Sequence, residues 1–119
     1  FPGKPDHRIV YWASRSYFTE LLKAGVEIYL YQKGFMHAKT LTVDGYLAVI
    51  GTANMDMRSF YYSFEINAFI YDEVIARQME ADFRVDMAHS IAVVADDYFR
   101  RPVYARFKES GARLLSPLL

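Results

Sequence analysis

Apolar positions Tyr17, Phe18, Leu21 and Leu22 fall on one face of a 3.6-residue period. That spacing predicts a helix capped by Asp6, just after Pro5, and closed at Gly25, where glycine permits a left-handed turn. The period then changes. Residues 26–31 alternate, with Val26, Ile28 and Leu30 against Glu27, Tyr29 and Tyr31, as in a half-buried strand, and Lys33-Gly34 breaks the run. Residues 36–43 read as a second extended segment, Asp44-Gly45 as a tight hairpin turn, and the continuous apolar run 46–50 as a central strand ended by Gly51. A polar and aromatic stretch, 52–63, reads as a loop or short helical turn before a fourth strand over 64–71. Within 72–89, Ile75, Met79, Phe83 and Met87 recur every four positions, which predicts an amphipathic helix with a buried stripe. A last helix is expected from Pro102, carrying Val103, Phe107, Leu114 and Leu115 until Pro117. The order is helix, three strands, loop, strand, two helices, with no repeat or linker. It predicts one α/β unit over residues 1–119, a mixed β-sheet flanked by helices.

Composition narrows what such a unit can do. At 119 residues there is room for one core, and 53% hydrophobic with 17% aromatic residues implies large buried or partner-facing surfaces. Fourteen basic and fourteen acidic residues cancel, so no long-range field gathers nucleic acid, and any affinity for anionic phosphate must be local. Without cysteine there are no disulfides, thiolate metal sites or thiol nucleophiles. No uninterrupted apolar window of about 18 residues exists, so a membrane anchor is expected outside the chain. The opening Phe1-Pro2-Gly3-Lys4-Pro5 reads as a loop entered from earlier chain, as in an excised segment.

The candidate chemistry lies in His37-Ala38-Lys39, then Asp44, then Gly51-Thr52-Ala53-Asn54, an H-x-K-x4-D-x6-G-[ST]-x-N pattern, with Glu65 further along. On an extended strand, His37 and Lys39 leave the same face and can hold one small anion between them. An imidazole can attack phosphorus or protonate a leaving alcohol, while an ammonium stabilises charge gathering on phosphoryl oxygens. Asn54 can donate to a non-bridging oxygen, with Thr52 assisting. Glu65 is expected to accept from the second ring nitrogen of His37 and so fix its tautomer. Asp44, on the opposite face at the turn, is expected to hold that turn.

These residues resemble the phospholipase D superfamily, whose motif carries histidine, lysine and aspartate at this spacing. The segments YWASRSYFTELLKAGVEIY, NMDMRSF, FEINAFIYD and SPLL are similar to bacterial cardiolipin synthases. The resemblance implies a phospholipase D-type lobe, the C-terminal half, whole or truncated, of a two-lobed enzyme in which two motifs meet across a pseudo-twofold axis. It implies a catalytic set of His37, Lys39, Asp44, Asn54 and Glu65, with phosphate bound by His37, Lys39, Thr52 and Asn54, and neither metal nor cofactor. One histidine forms a phosphohistidine and the other protonates the departing alcohol. His37 would be the acid and base, its nucleophilic counterpart coming from the N-terminal lobe or a second copy. The implied reaction makes cardiolipin and glycerol from two phosphatidylglycerol molecules, without nucleic acid, at a bacterial cell membrane, on a catalytic domain facing the cytoplasm. Ser63 departs from the asparagine that relatives often carry two residues before the glutamate matching Glu65. The alternatives are a phosphodiesterase or nuclease of the same superfamily working as a homodimer, and a non-catalytic docking lobe.

Other features have plainer expectations. His7 and His89, at a helix start and a helix end, read as solvated or dipole-facing. Phe60, Tyr61, Tyr62 and Phe64 read as core in preference to an acyl-chain entrance. Arg58 reads equally as a partner of Asp56 or of a lipid phosphate. Arg100-Arg101 and residues 108–113 read as a solvated helix face, and the methionines of the long helix as core.

Overall fold

The structure, a computed structural model, describes residues 1–5 and 7–114, the side chains of Met57, Arg58 and Arg106 excepted. The expected Asp6 cap and the Leu115 and Pro117 end of the last helix lie outside the described residues. Eleven elements follow in the order α1 (Arg8–Ser16), α2 (Phe18–Lys23), β1 (Tyr29–Tyr31), β2 (Thr40–Val43), β3 (Leu47–Gly51), α3 (Met57–Tyr61), β4 (Asn67–Tyr71), α4 (Glu73–Ala88), β5 (Ser90–Ala92), α5 (Ala95–Phe99) and α6 (Val103–Arg113).

The first helix is two. Ser16 Oγ donates to the Ala13 carbonyl (2.6 Å), and the Tyr17 N–H turns to Ser14 O (3.3 Å), so the backbone tightens before α2 begins. The glycine stop has a geometric basis. Gly25 sits at φ 85°, its N–H donates to Leu22 O (3.1 Å), and the Val26 N–H donates to Leu21 O (3.0 Å), the paired bonds of a Schellman motif.

The strands form two small antiparallel sheets, not one: β1 with β5, and the meander β2-β3-β4 with β3 in the centre. The single parallel pairing described is the bridge of Pro2 to Tyr31. The strand expected over 26–31 shortens to Tyr29–Tyr31, because its partner is the three-residue β5, which sequence reading missed along with α5. At the hairpin, Asp44 (φ 51°) and Gly45 (φ 62°) both take positive φ, and the Tyr46 N–H closes the turn on Val43 O (3.0 Å).

Helix α4 opens with Asp72 Oδ1 accepting from the Ile75 N–H (2.9 Å) and packs against all five strands. It meets the meander through small residues: Ala76 of α4 and Ala48 of β3 are both fully buried. Period-two alternation sends the neighbours of Ala48 to the other face, where Leu41, Val49 and Phe69 align in one row and Val43, Leu47 and Tyr71 in the next. That face is apolar and largely uncovered, with Phe69 62% and Tyr71 67% exposed. The expected stripe of α4 is correspondingly incomplete. Met79 and Met87 are half-buried, but Ile75 and Phe83 are exposed, because the helix rests on its alanine.

The buried core sits elsewhere, around Phe18, Ile28 and Tyr98 where α2, β1 and α5 meet. Above it α1 packs on α6 through a charged network. Glu109, 7% exposed, accepts from Arg101 at 2.6 and 3.0 Å and lies 3.6 Å from Arg15 Nε. Tyr98 donates its hydroxyl to Arg15 O (2.8 Å), and the Arg101 guanidinium lies 3.2 Å from the centre of its ring. Burial, with the Glu109 charge nearby, pushes the Tyr98 phenol up from its ordinary value. The face expected to be solvated thus holds the helices together: Arg101 pairs with Glu109, and Arg113 pairs with Glu20 of α2 (2.6 Å). Among the described residues no helix is long and apolar enough to cross a membrane.

Candidate phosphate-handling site

The chain brings the motif to one end of the meander by register. Thr40 pairs with Ile50 and Gly51 with Asn67, so the start of β2, the end of β3 and the start of β4 share one edge. One step further out, the Gly51 N–H donates to Lys39 O (3.1 Å), and the Thr52 N–H donates to Ile66 O (3.0 Å). With strands about 4.8 Å apart, the segments carrying His37 and Lys39, Thr52 and Asn54, and Glu65 lie side by side. Asp44 does not join them. It occupies the turn at the other end of the sheet, five residues or about 17 Å of extended chain from Lys39.

His37 and Lys39 precede β2 instead of lying on it, a correction to the expected strand over 36–43. Their side chains nonetheless meet, with Lys39 Nζ 2.8 Å from His37 Nδ1, 3.1 Å from Nε2 and 2.9 Å from the His37 carbonyl. An ammonium only donates, so in this contact the imidazole is the acceptor. The ring of Phe35 lies 5.7 Å from the imidazole.

Glu65 departs from the expected contact with His37. Its Oε2 accepts from the Thr52 hydroxyl at 2.5 Å, and the same hydroxyl oxygen accepts from the Ile66 N–H at 3.0 Å. The reason is local. The pairing of Thr52 with Ile66 clamps that hydroxyl beside residue 65, whereas His37 sits on the far side of β3, ahead of β2. Thr52 is therefore tied to the carboxylate, and Asn54 stands exposed on the following loop with its backbone N–H on Ser59 Oγ (3.2 Å).

Four supporting residues escaped sequence reading. Ser59, buried at the first turn of α3, receives the Asn54 N–H, and Asp56 Oδ1 accepts from the Ser59 N–H (2.7 Å) in the manner of an N-cap. The signal was available as Asp-x-x-Ser directly after Asn54. Asn67 explains Gly51, since a Cβ there would collide with the Asn67 amide and come within 2.5 Å of Ile66 O. Phe35 is the fourth. The Asp56 carboxylate is thus engaged by its own helix, while the Arg58 side chain lies outside the described residues. His7 and His89 stand at the start of α1 and the end of α4, on elements away from the motif. Among the described residues no three histidine or carboxylate side chains gather as around a metal ion.

This edge carries two contacting pairs, the imidazole and ammonium of His37 and Lys39 and the hydroxyl and carboxylate of Thr52 and Glu65, with Asn54 on the loop beyond β3. An imidazole beside an ammonium has the chemistry of a general acid or nucleophile next to a donor for an anionic oxygen. Among known proteins, residues 1–87 match the family model described as cardiolipin synthase, PLD-like domain. The chain belongs to that family. Over 118 residues, 99% of its length, this PLD-like chain is 52% identical to the major cardiolipin synthase ClsA of Bacillus subtilis. Over the same share it is 55% identical to cardiolipin synthase 2 of Bacillus cereus and 53% identical to the cardiolipin synthase of Geobacillus kaustophilus. It spans about a quarter of the length of these relatives, 23% and 24% in the first two, so most of their length has no counterpart in this PLD-like chain.

Proposed function

We propose that this chain supplies one motif of a phosphatidyltransferase that makes cardiolipin from two phosphatidylglycerol molecules and releases glycerol. What supports this is the register that sets the segments carrying His37 and Lys39, Thr52 and Asn54, and Glu65 at one sheet edge, in a chain of this family. A histidine from outside the chain attacks phosphorus. As the phosphorus–oxygen bond to glycerol breaks, His37 gives its ring proton to the departing oxygen. The acceptor hydroxyl then returns a proton to His37 and attacks the phosphohistidine, whose phosphorus–nitrogen bond breaks. Lys39 and the Asn54 amide hold the non-bridging oxygens while negative charge builds there. Thr52 and Glu65 keep the β3 and β4 ends in register beneath them.

The second histidine comes from an N-terminal lobe or another copy. Surface area favours such a partner: the chain exposes 8793 Å², where roughly 6,600 Å² is usual for its mass. The difference is the size of one side of an obligate interface, and the open meander face offers it. The working place is the surface of a bacterial membrane, on its cytoplasmic side, with the anchor in another part of the protein.

The test is conversion of labelled phosphatidylglycerol by the complete protein that carries this chain. His37→Ala should cut turnover by about 10³-fold without lowering the unfolding midpoint. Unchanged turnover would reduce the chain to a docking lobe.

A further inference from the structure

Exposed apolar side chains also flank the motif residues along the chain, outside the strands of the open sheet face. Met55 follows Asn54 directly, Phe64 precedes Glu65, and Phe35 stacks near His37. Expected in the core, Phe64 is instead fully exposed at 107%, and Tyr61 and Tyr62 are 71% and 73% exposed; Met55 beside them is 86% exposed. We propose that Phe35, Met55, Phe60, Tyr61, Tyr62 and Phe64 form a collar that seats in the interfacial layer of a phospholipid bilayer while the phosphate site works. The proposal rests on the phosphatidyl reading of that site and names what the site must be set into.

Three observations favour lipid over a protein partner here. A phosphatidyl group carries its acyl chains only a few bonds from the phosphorus, so a ligand held by His37 and Asn54 brings apolar chains to this position. The collar mixes phenylalanine and methionine with two tyrosines, whose apolar rings and polar tips suit the headgroup boundary. Its charge is also arranged for an anionic surface. The carboxylates of Asp56 and Glu65 are engaged by the Ser59 N–H and the Thr52 hydroxyl, while Lys33, two residues before Phe35, is exposed and Lys39 is held on His37.

The test uses the complete protein in a cysteine-free background, with Phe64→Cys carrying a nitroxide, bound to vesicles of phosphatidylglycerol and phosphatidylethanolamine. Power saturation should show collisions with dissolved oxygen several-fold more frequent than with a water-soluble nickel chelate. A label open to the chelate overturns the collar. So does one shielded from both reagents with and without vesicles, since another lobe then covers it. His37→Ala in the same background separates the two levels. Transfer lost with a chelate-exposed label removes the collar alone, whereas full transfer with an inserted label removes the phosphatidyl reading and the proposal with it.

Discussion

At the helical end, formed by α1, α2, α5 and α6, Phe18 and Tyr98 pack in a buried core and Glu109 is enclosed by Arg101 and Arg15, while Tyr104 and Phe107 of α6 stay exposed. At the meander end, the motif side chains and the large apolar groups both face outward. The same chain thus closes a small core around Phe18, Ile28 and Tyr98 at one end and leaves the motif side of the other end open. Burial with satisfied polar groups is what stabilises a fold. Exposed apolar rows beside reactive groups are what a partner or substrate later covers. The radius of gyration, 15.4 Å against roughly 13.5 Å for a compact chain of this length, reflects that uneven closure.

Perturbing each end should therefore move different readouts. The largest stability effect is expected from Glu109→Ala, which strands the Arg101 and Arg15 charges in a half-buried setting and costs about 3 kcal/mol. Denaturant unfolding of the complete protein should show it, while transfer per folded molecule stays unchanged. A drop in turnover matching the loss of stability would erase the division between the ends. Gly51→Ala should cost about 1 to 3 kcal/mol by forcing β3 away from Asn67, and should also lower turnover by spreading Lys39 from Thr52. Full activity in that variant would mean the edge tolerates misalignment, contrary to the account. The smallest effect concerns Glu20, whose carboxyl the Arg113 hydrogen bond holds below the usual carboxylate range. Stability from this pair is present at neutral pH and is lost as pH falls through the lowered pKa. Glu20→Gln should lower stability slightly near neutrality, leave it unaltered at pH below the lowered pKa, and so flatten the acid limb of the profile.

How legible each end was in the sequence follows from the same contrast. The motif, the Asp44-Gly45 turn, the central position of β3 and the α4 cap zone rest on local spacing, and local spacing is written in the chain. The break at Tyr17 turns on one serine's choice of carbonyl, the pairing of β1 with β5 on partners about 60 residues away, and the Arg101–Glu109 link on how the chain turns between α5 and α6, and for none of these does periodicity carry a signal. The aromatic run 60–64 was misread for another reason. Large rings are usually buried, and a sequence pattern cannot say whether the covering surface belongs to the same chain. Glu65 was assigned to His37 by chemistry alone, while the Thr52–Ile66 pairing that captures it appears only once β3 and β4 are in register.

The central claim is that His37, Lys39 and Asn54 address one phosphoryl group. It is met most directly by solving the complete protein with a non-hydrolysable phosphonate analogue of phosphatidylglycerol. The account predicts phosphonate oxygens within hydrogen-bonding distance of His37 Nε2, Lys39 Nζ and the Asn54 amide. A phosphonate held wholly by residues outside this chain, with that edge of the meander empty, would contradict it.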